Sequence, residues 1–221
     1  MVPRRPCPNS GGSVTPSGVF VIGAGGHGKV VVSTLQERGV EVLGVFDDDA
    51  AKWGGRLLGV PVLGGLDLAP EYADRGRFIL AIGNNDHRAR LAERFARFDW
   101  ATAVHPAAYV HPSARLRAGV VVFAGAVVQP ETVVGAHSIV NTGTTVDHDC
   151  EVGSYVHLAP GVHLAGGVAV GSRAMLGVGA SVIPGVRIGE GAIVGAGSVV
   201  LRDVSPGETV VGMPAKPLQK E

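Results

Sequence analysis

From Val104 onward an aliphatic residue recurs at every sixth position: Val104, Val110, Leu116, Val122, Val128, Val134, Val140, Val146, Val152, Leu158, Leu164, Val170, Leu176, Val182, Ile188, Val194 and Val200. With Val, Ile and Leu scattered over about a third of positions, such a run would arise on the order of once in 10^8 trials. From Val120 on, a generally smaller residue stands two places before each, as at Ala126, Thr132, Ser138, Thr144, Cys150, Ala174 and Ser198. A period of six fits neither the 3.6 of an α-helix nor a simple alternation. It fits a strand of three residues followed by a three-residue corner. The small and the aliphatic residue then point inward, and the one between them points out.

Three hexads close a triangular coil, and coils stack at strand spacing, about 4.8 Å. Gly is abundant, 34 of 221 residues, and often follows the aliphatic position, at Gly135, Gly153, Gly171, Gly177, Gly189 and Gly195. There it is expected to ease the corners by accepting positive φ. The expected fold of residues 104–221, including a C-terminal tail, is a left-handed parallel β-helix of hexapeptide repeats, against the usual crossover hand. A β-sandwich would need turn signals roughly every 8–12 residues instead.

Upstream, residues 18–103 read as a separate α/β unit. The segment VFVIGAGGHGKVVVSTLQERG is a β-branched strand, a Gly-rich turn and a helix, with Gly23, Gly25 and Gly28 in G-x-G-x-x-G spacing. A second strand, 41–46, ends in Asp47-Asp48-Asp49, and a third, 77–82, ends in Gly83-Asn84-Asn85-Asp86. Taken alone, the motif says NAD. Only one mononucleotide half fits before the first coil, so the expectation is a half-Rossmann βαβαβ unit holding a nucleotide-linked ligand. Amides at the helix N-terminus would meet phosphate, and His27 would add a side chain. The bland alternative is a tight βα turn with no ligand.

Composition narrows the partners. Lys and Arg total 19 and Asp and Glu total 19, which recommends neither nucleic acid nor an anionic membrane. No apolar stretch approaches the roughly 20 residues of a membrane span. Cys7 and Cys150 form no disulfide framework and no metal knuckle, as expected for a reducing, cytoplasmic setting. Residues 1–17, rich in Pro, Ser and Gly, read as a disordered tail.

The hexad frame sorts the eight histidines. His148 falls on a corner between Asp147 and Asp149, and Gly166 stacks directly above it. His157 faces outward on a strand, one coil above Asn141 and on a different edge from His148. These groups cannot converge within one subunit, but Asn141 and His157 could face a neighbour's His148. A carboxylate on one ring nitrogen fixes the tautomer and raises the basicity of the other, which suits general-base work. Asp149 is the preferred orienter and Asp147 the alternative, with the Gly166 amide a possible oxyanion donor. A merely solvated corner histidine remains the other reading. His105, His111 and His137 read as surface residues, and His163 as structural.

GAGGHG, the Asp-rich second strand end, AIGNND, N-x6-HDCEVG, VHLAPGVHLAG, IGEGAIVGAGSVV and VGMPAKP together resemble the bacterial sugar O- and N-acyltransferases, over about residues 18–217. The motifs are similar to those of nucleotide-4-amino-sugar N-acetyltransferases and of proteins described as sialic-acid O-acetyltransferases. The resemblance implies a homotrimer that uses acetyl-CoA, without metal. It implies His148 as base, Asp149 as its partner, and Gly166 holding the thioester oxygen. Asp149 is shorter than the Glu some members carry. The same resemblance implies that His157, Val178 and Ala196 line the CoA groove. It places Gly25, Gly26, His27, Asp47, Asp48 and Gly83 around the nucleotide sugar.

Other classes fit the same prism. A zinc hydratase would need His148, His157 and His163 to meet, although their spacings put His163 on a different face. A non-catalytic nucleotide-sugar binder is the third class.

Overall fold

The computed structural model describes residues 18–218; the expected tail of residues 1–17 lies outside them. The N-terminal unit is built on β1 (Val19–Ile22), α1 (Gly26–Glu37), β2 (Val42–Phe46), β3 (Arg56–Leu57), β4 (Val60–Gly64), β5 (Arg77–Leu80) and α2 (Asn85–Arg94). Its sheet runs β3-β4-β2-β1-β5, parallel except for the β3–β4 hairpin. Between β2 and β5 the chain makes this hairpin and a 3-10 turn, Leu66–Tyr72, where a half-Rossmann unit would carry an α-helix. Gly54, Gly55, Gly59, Gly64, Gly65, Pro61 and Pro70 crowd this stretch and disfavour an α-helix.

A left-handed parallel β-helix follows. Each aliphatic hexad position from Val104 to Val200 closes a two-residue strand. Strands pair with those one coil on, Val128 with Val146 and Val146 with Leu164, without a slip. The inward rows form one core from Val120 to Val210. Buried hydroxyls are satisfied by carbonyls of the next coil: Thr132 donates to Asp147 O, Ser138 to Gly153 O and Thr144 to Ala159 O.

The corner glycines have a different cause from the one expected. Positive φ falls at another hexad position, including Gly125, Glu131, His137, Gly143, Asp149 and Tyr155. The glycines after the aliphatic residue answer to close approach between coils. A Cβ at Gly135 would stand 2.4 Å from Gly153 C, and one at Gly171 would stand 2.4 Å from Glu190 N.

Three faces result. The first carries Val121–Val122, Ile139–Val140, His157–Leu158 and Met175–Leu176, and the N-terminal unit docks on it. Val31, Val32 and Leu35 of α1 share a core there with Val121, Phe123 and Ile139. The second face carries Thr145–Val146 and His163–Leu164; the third carries Glu151–Val152 and Ala169–Val170.

Candidate active site

His148 and Asp149 occupy the corner between the second and third faces. Asp149 adopts φ 58°, and its Oδ2 meets His148 Nδ1 at 2.7 Å. Asp147 turns instead to the main chain, where its Oδ1 accepts the His148 backbone N–H at 2.9 Å. The carboxylate on the ring is therefore Asp149. That hydrogen bond lifts the imidazole above its ordinary pKa; desolvation opposes it, and the charges of Asp147 and Asp149 add to the rise.

Gly166 lies one coil above, over the ring. Its neighbour Gly167 donates to His148 O at 2.9 Å, while the Gly166 N–H has no hydrogen-bond partner among the described residues. Cys150 is fully buried, and its Sγ donates to Ala165 O at 3.2 Å. Burial pushes this thiol up, away from nucleophilic use.

A second group gathers where the N-terminal unit meets the first face. His157 Nδ1 is 3.2 Å from Gly83 O, and its Nε2 is 3.1 Å from Asn141 Nδ2. Asn141 Oδ1 accepts Thr142 N–H at 2.8 Å, which fixes the amide's orientation. His27, at the start of α1, packs on Phe123 and lies 6.2 Å from the His157 ring. Its Nε2 is buried without a partner among the described residues. Burial lowers His27 to about 4, with His157 and Arg88 adding to the shift; burial and Arg88 lower His157 to about 4. Val178 and Ala196 stand exposed on the Asn141 edge, the corner between the first and second faces.

The Gly-rich turn is open at its tip. A Cβ at Gly25 or Gly26 would meet nothing within 4 Å, whereas one at Gly28 would stand 2.2 Å from Gly23 O. Gly28 serves helix–strand packing, and the exposed pair leaves backbone for a ligand. Asp47 faces the protein: Oδ2 accepts Ala24 N–H at 2.6 Å, and Oδ1 accepts Asp49 N–H and Lys52 Nζ. Burial acts to raise this carboxyl, but these donors together hold it below the usual range. Asp48 Oδ1 accepts Leu66 N–H at 2.9 Å. Beside it Asp48, Trp53, Gly65 and Arg94 line a cavity of about 690 Å³. Another, about 510 Å³, lies between Gly83, Asn85, Arg173 and Ile193.

Two residues differ from the sequence-based expectation or escaped it. His137 is buried, not on the surface, with Trp100 edge-on at 4.8 Å and Tyr155 stacked at 5.5 Å. Its expected exposure neglected the docked N-terminal unit, which supplies Trp100. Arg88 of α2 was not anticipated. It is 1% exposed, and its guanidinium donates to the carbonyls of His137, Ile82, Gly83, Tyr155 and Val156 and to Asn85 Oδ1. Asn85 Nδ2 donates to Arg173 O and Ala174 O. The AIGNND motif carried this signal only as a polar strand end.

His148 and His157 do not meet within the chain, and His163 bonds Thr145 Oγ1 on the second face. Among the described residues no three His, Cys, Asp or Glu side chains form a metal site. No helix among them is long and apolar enough to cross a membrane. A β-helix bearing an exposed His–Asp pair beneath an unpartnered glycine amide has the parts of a hexapeptide acyltransferase.

Comparison with known proteins makes the class specific. Residues 18–95 match the PglD N-terminal domain family, and residues 167–202 match the bacterial transferase hexapeptide family (six repeats). PerB of Caulobacter crescentus, solved with CoA and GDP-perosamine, is 45% identical with TM-score 0.87, over 94% of this chain and 100% of that one. The acetyltransferase domain of PglB from Neisseria gonorrhoeae, solved with acetyl coenzyme A, is 40% identical with TM-score 0.86, over 91% and 99%. The UDP-N-acetylbacillosamine N-acetyltransferase of Bacillus subtilis is 41% identical over 109 residues, 46% of this chain and 49% of that protein. The chain thus spans about half the length of that curated relative, and 20% of an uncharacterized mimivirus protein that also matches. The chain belongs to the hexapeptide-repeat sugar N-acetyltransferases.

Proposed function

We propose that this chain transfers an acetyl group from acetyl-CoA to the 4-amino group of a nucleotide-linked 4-amino-4,6-dideoxy sugar. The observation that carries the reading is the His148–Asp149 pair at 2.7 Å with the free Gly166 amide above it. The acceptor nitrogen attacks the thioester carbonyl, His148 takes the amine proton, and the Gly166 N–H holds the oxyanion. Collapse expels the CoA thiolate, which takes up a proton. Asp149 keeps the ring in the tautomer whose Nε2 accepts.

The nucleotide sugar lies against Gly25, Gly26, His27 and Gly83, with its nucleoside beside Asp48. Asp47 acts from behind by holding the turn through Ala24. Residues 18–103 form the acceptor unit and residues 104–221 the acyl-transfer unit. A homotrimer completes the site, since Asn141 and His157 of one subunit then face a neighbour's His148, with CoA along the Val178 and Ala196 edge. The reading places the enzyme in the cytoplasm, where its product supplies polysaccharide assembly.

The test is thiol release from acetyl-CoA with GDP- and UDP-linked 4-amino-4,6-dideoxy sugars, with sialic acid as hydroxyl control. Turnover with an amino sugar supports the reading and identifies the nucleotide. Turnover with sialic acid alone moves the chemistry to oxygen. Silence from a folded trimer leaves a nucleotide-sugar binder.

A further inference from the structure

Arg88 is the most buried large cation of the described residues, yet no carboxylate faces it. All its partners are carbonyl oxygens. A buried charge held this way is costly unless each donor is used. Here they draw together three segments: residues 82–85, His137 and residues 155–156. Nη1 donates to Ile82 O at 2.8 Å and Gly83 O at 3.1 Å; Nη2 donates to Tyr155 O at 2.8 Å. The first pair lies between β5 and α2, and the other carbonyl lies two residues before His157.

Gly83 O also faces His157 Nδ1 at 3.2 Å. A carbonyl only accepts, so the ring proton sits on Nδ1. Nε2 then carries the lone pair and accepts from Asn141 Nδ2 at 3.1 Å. With Asn141 Oδ1 engaged by Thr142 N–H, the second Nδ2 proton is left for a ligand. A protonated His157 would set two donors against each other at Asn141.

We propose that Arg88 is a positioning residue of the acceptor site: it fixes the Gly83 carbonyl, which holds His157 in the Nδ1–H form, and His157 aims the Asn141 amide at the acceptor sugar. This rests on the reading above for the identity of the acceptor. It assigns His157 to the acceptor side, whereas the family resemblance implied the CoA groove. Burial and the Arg88 charge keep the ring neutral, and the other titratable group facing it, His27, is neutral for the same reasons.

Two measurements test it on the full chain. In ¹⁵N-histidine-labelled protein, His157 should show the Nδ1–H tautomer from pH 5 to 8, and Arg88→Lys should erode that signature. A protonated or Nε2–H ring in the unaltered protein overturns the proposal, as does an unchanged ring in Arg88→Lys. This arm needs no substrate and decides even if no acceptor turns over.

The second is kinetic, with GDP-perosamine as the probe. His157→Phe, folded by its melting transition, should raise KM for the amino sugar about tenfold. KM for acetyl-CoA should stay within about twofold, and His157→Gln, which keeps an acceptor, should recover part of the loss. A rise confined to acetyl-CoA, an equal rise in both, or no rise overturns it. Inactive but folded unaltered protein would count against the acetyl-transfer reading alone.

Discussion

The His148 imidazole lies so close beneath Gly166 that a Cβ on that glycine would stand 2.6 Å from ring Cε1 and 2.7 Å from Nε2. The contact falls on an exposed, movable ring. Gly166→Ala therefore displaces the imidazole from Asp149 without disturbing the prism core. Thermal stability should change by no more than about 0.5 kcal/mol, while kcat falls about 100-fold. Unaltered turnover would show that the ring's position is immaterial.

Asp149 sets a pH dependence. Its hydrogen bond raises the imidazole pKa, so the basic form is lost as pH falls through a value above that of a free histidine. Asp149→Asn suits the positive φ and removes the carboxylate. The acid limb of kcat/KM should then move to lower pH, with a lower plateau. A limb that stays in place would assign it to another group.

Three histidines, buried His137 and half-buried His27 and His157, set the pH dependence of stability. His27, His137 and His157 are each lowered to about 4, chiefly by burial. Between about pH 6.5 and 4 the unfolded chain binds protons that the native chain refuses, so stability is lost as pH falls through that window. Urea midpoints across the window measure the slope. His137→Asn, suited to φ 56°, should lower stability overall and make the slope shallower.

Removing Arg88 outright should cost about 3 kcal/mol or more, because several buried carbonyls lose their donor together. Urea unfolding of Arg88→Met checks this. A loss below about 1 kcal/mol would mean that water replaces the guanidinium.

Cys150→Ala should retain near-normal turnover, since the thiol faces the prism interior and attack is direct. Abolished turnover in a folded variant would point to a covalent acyl-enzyme.

The coil path was legible because every sixth side chain must fill the same inner row, as the unbroken pairing of Val128, Val146 and Leu164 reflects. The corner chemistry was legible for a related reason: hexad counting puts Gly166 over His148 without any tertiary information. The unit-to-unit contact was not. Arg88 sits at a helical position where a cation normally faces water, and all but one of its partners are backbone atoms, which leave no trace in side-chain pattern. His137 was misplaced because burial comes from Trp100, far away in sequence. Asp47 had the right residue type at the right distance, but whether its oxygens face a ligand or Ala24 N–H depends on the path of the turn.

The joint made by Asn85 and Arg88 reads the β-helix almost wholly through main-chain oxygens: those of His137, Tyr155, Val156, Arg173 and Ala174. Main-chain oxygens follow the path of a coil whatever side chains it bears. This polar part of the connection is therefore blind to sequence on the prism side, whereas the apolar part, Val31, Val32 and Leu35 against Val121, Phe123 and Ile139, depends on matched side chains. A head moved onto another prism of the same pitch would keep its polar anchor unchanged and would need only that apolar patch rebuilt to bring a different acceptor to the same transfer machinery.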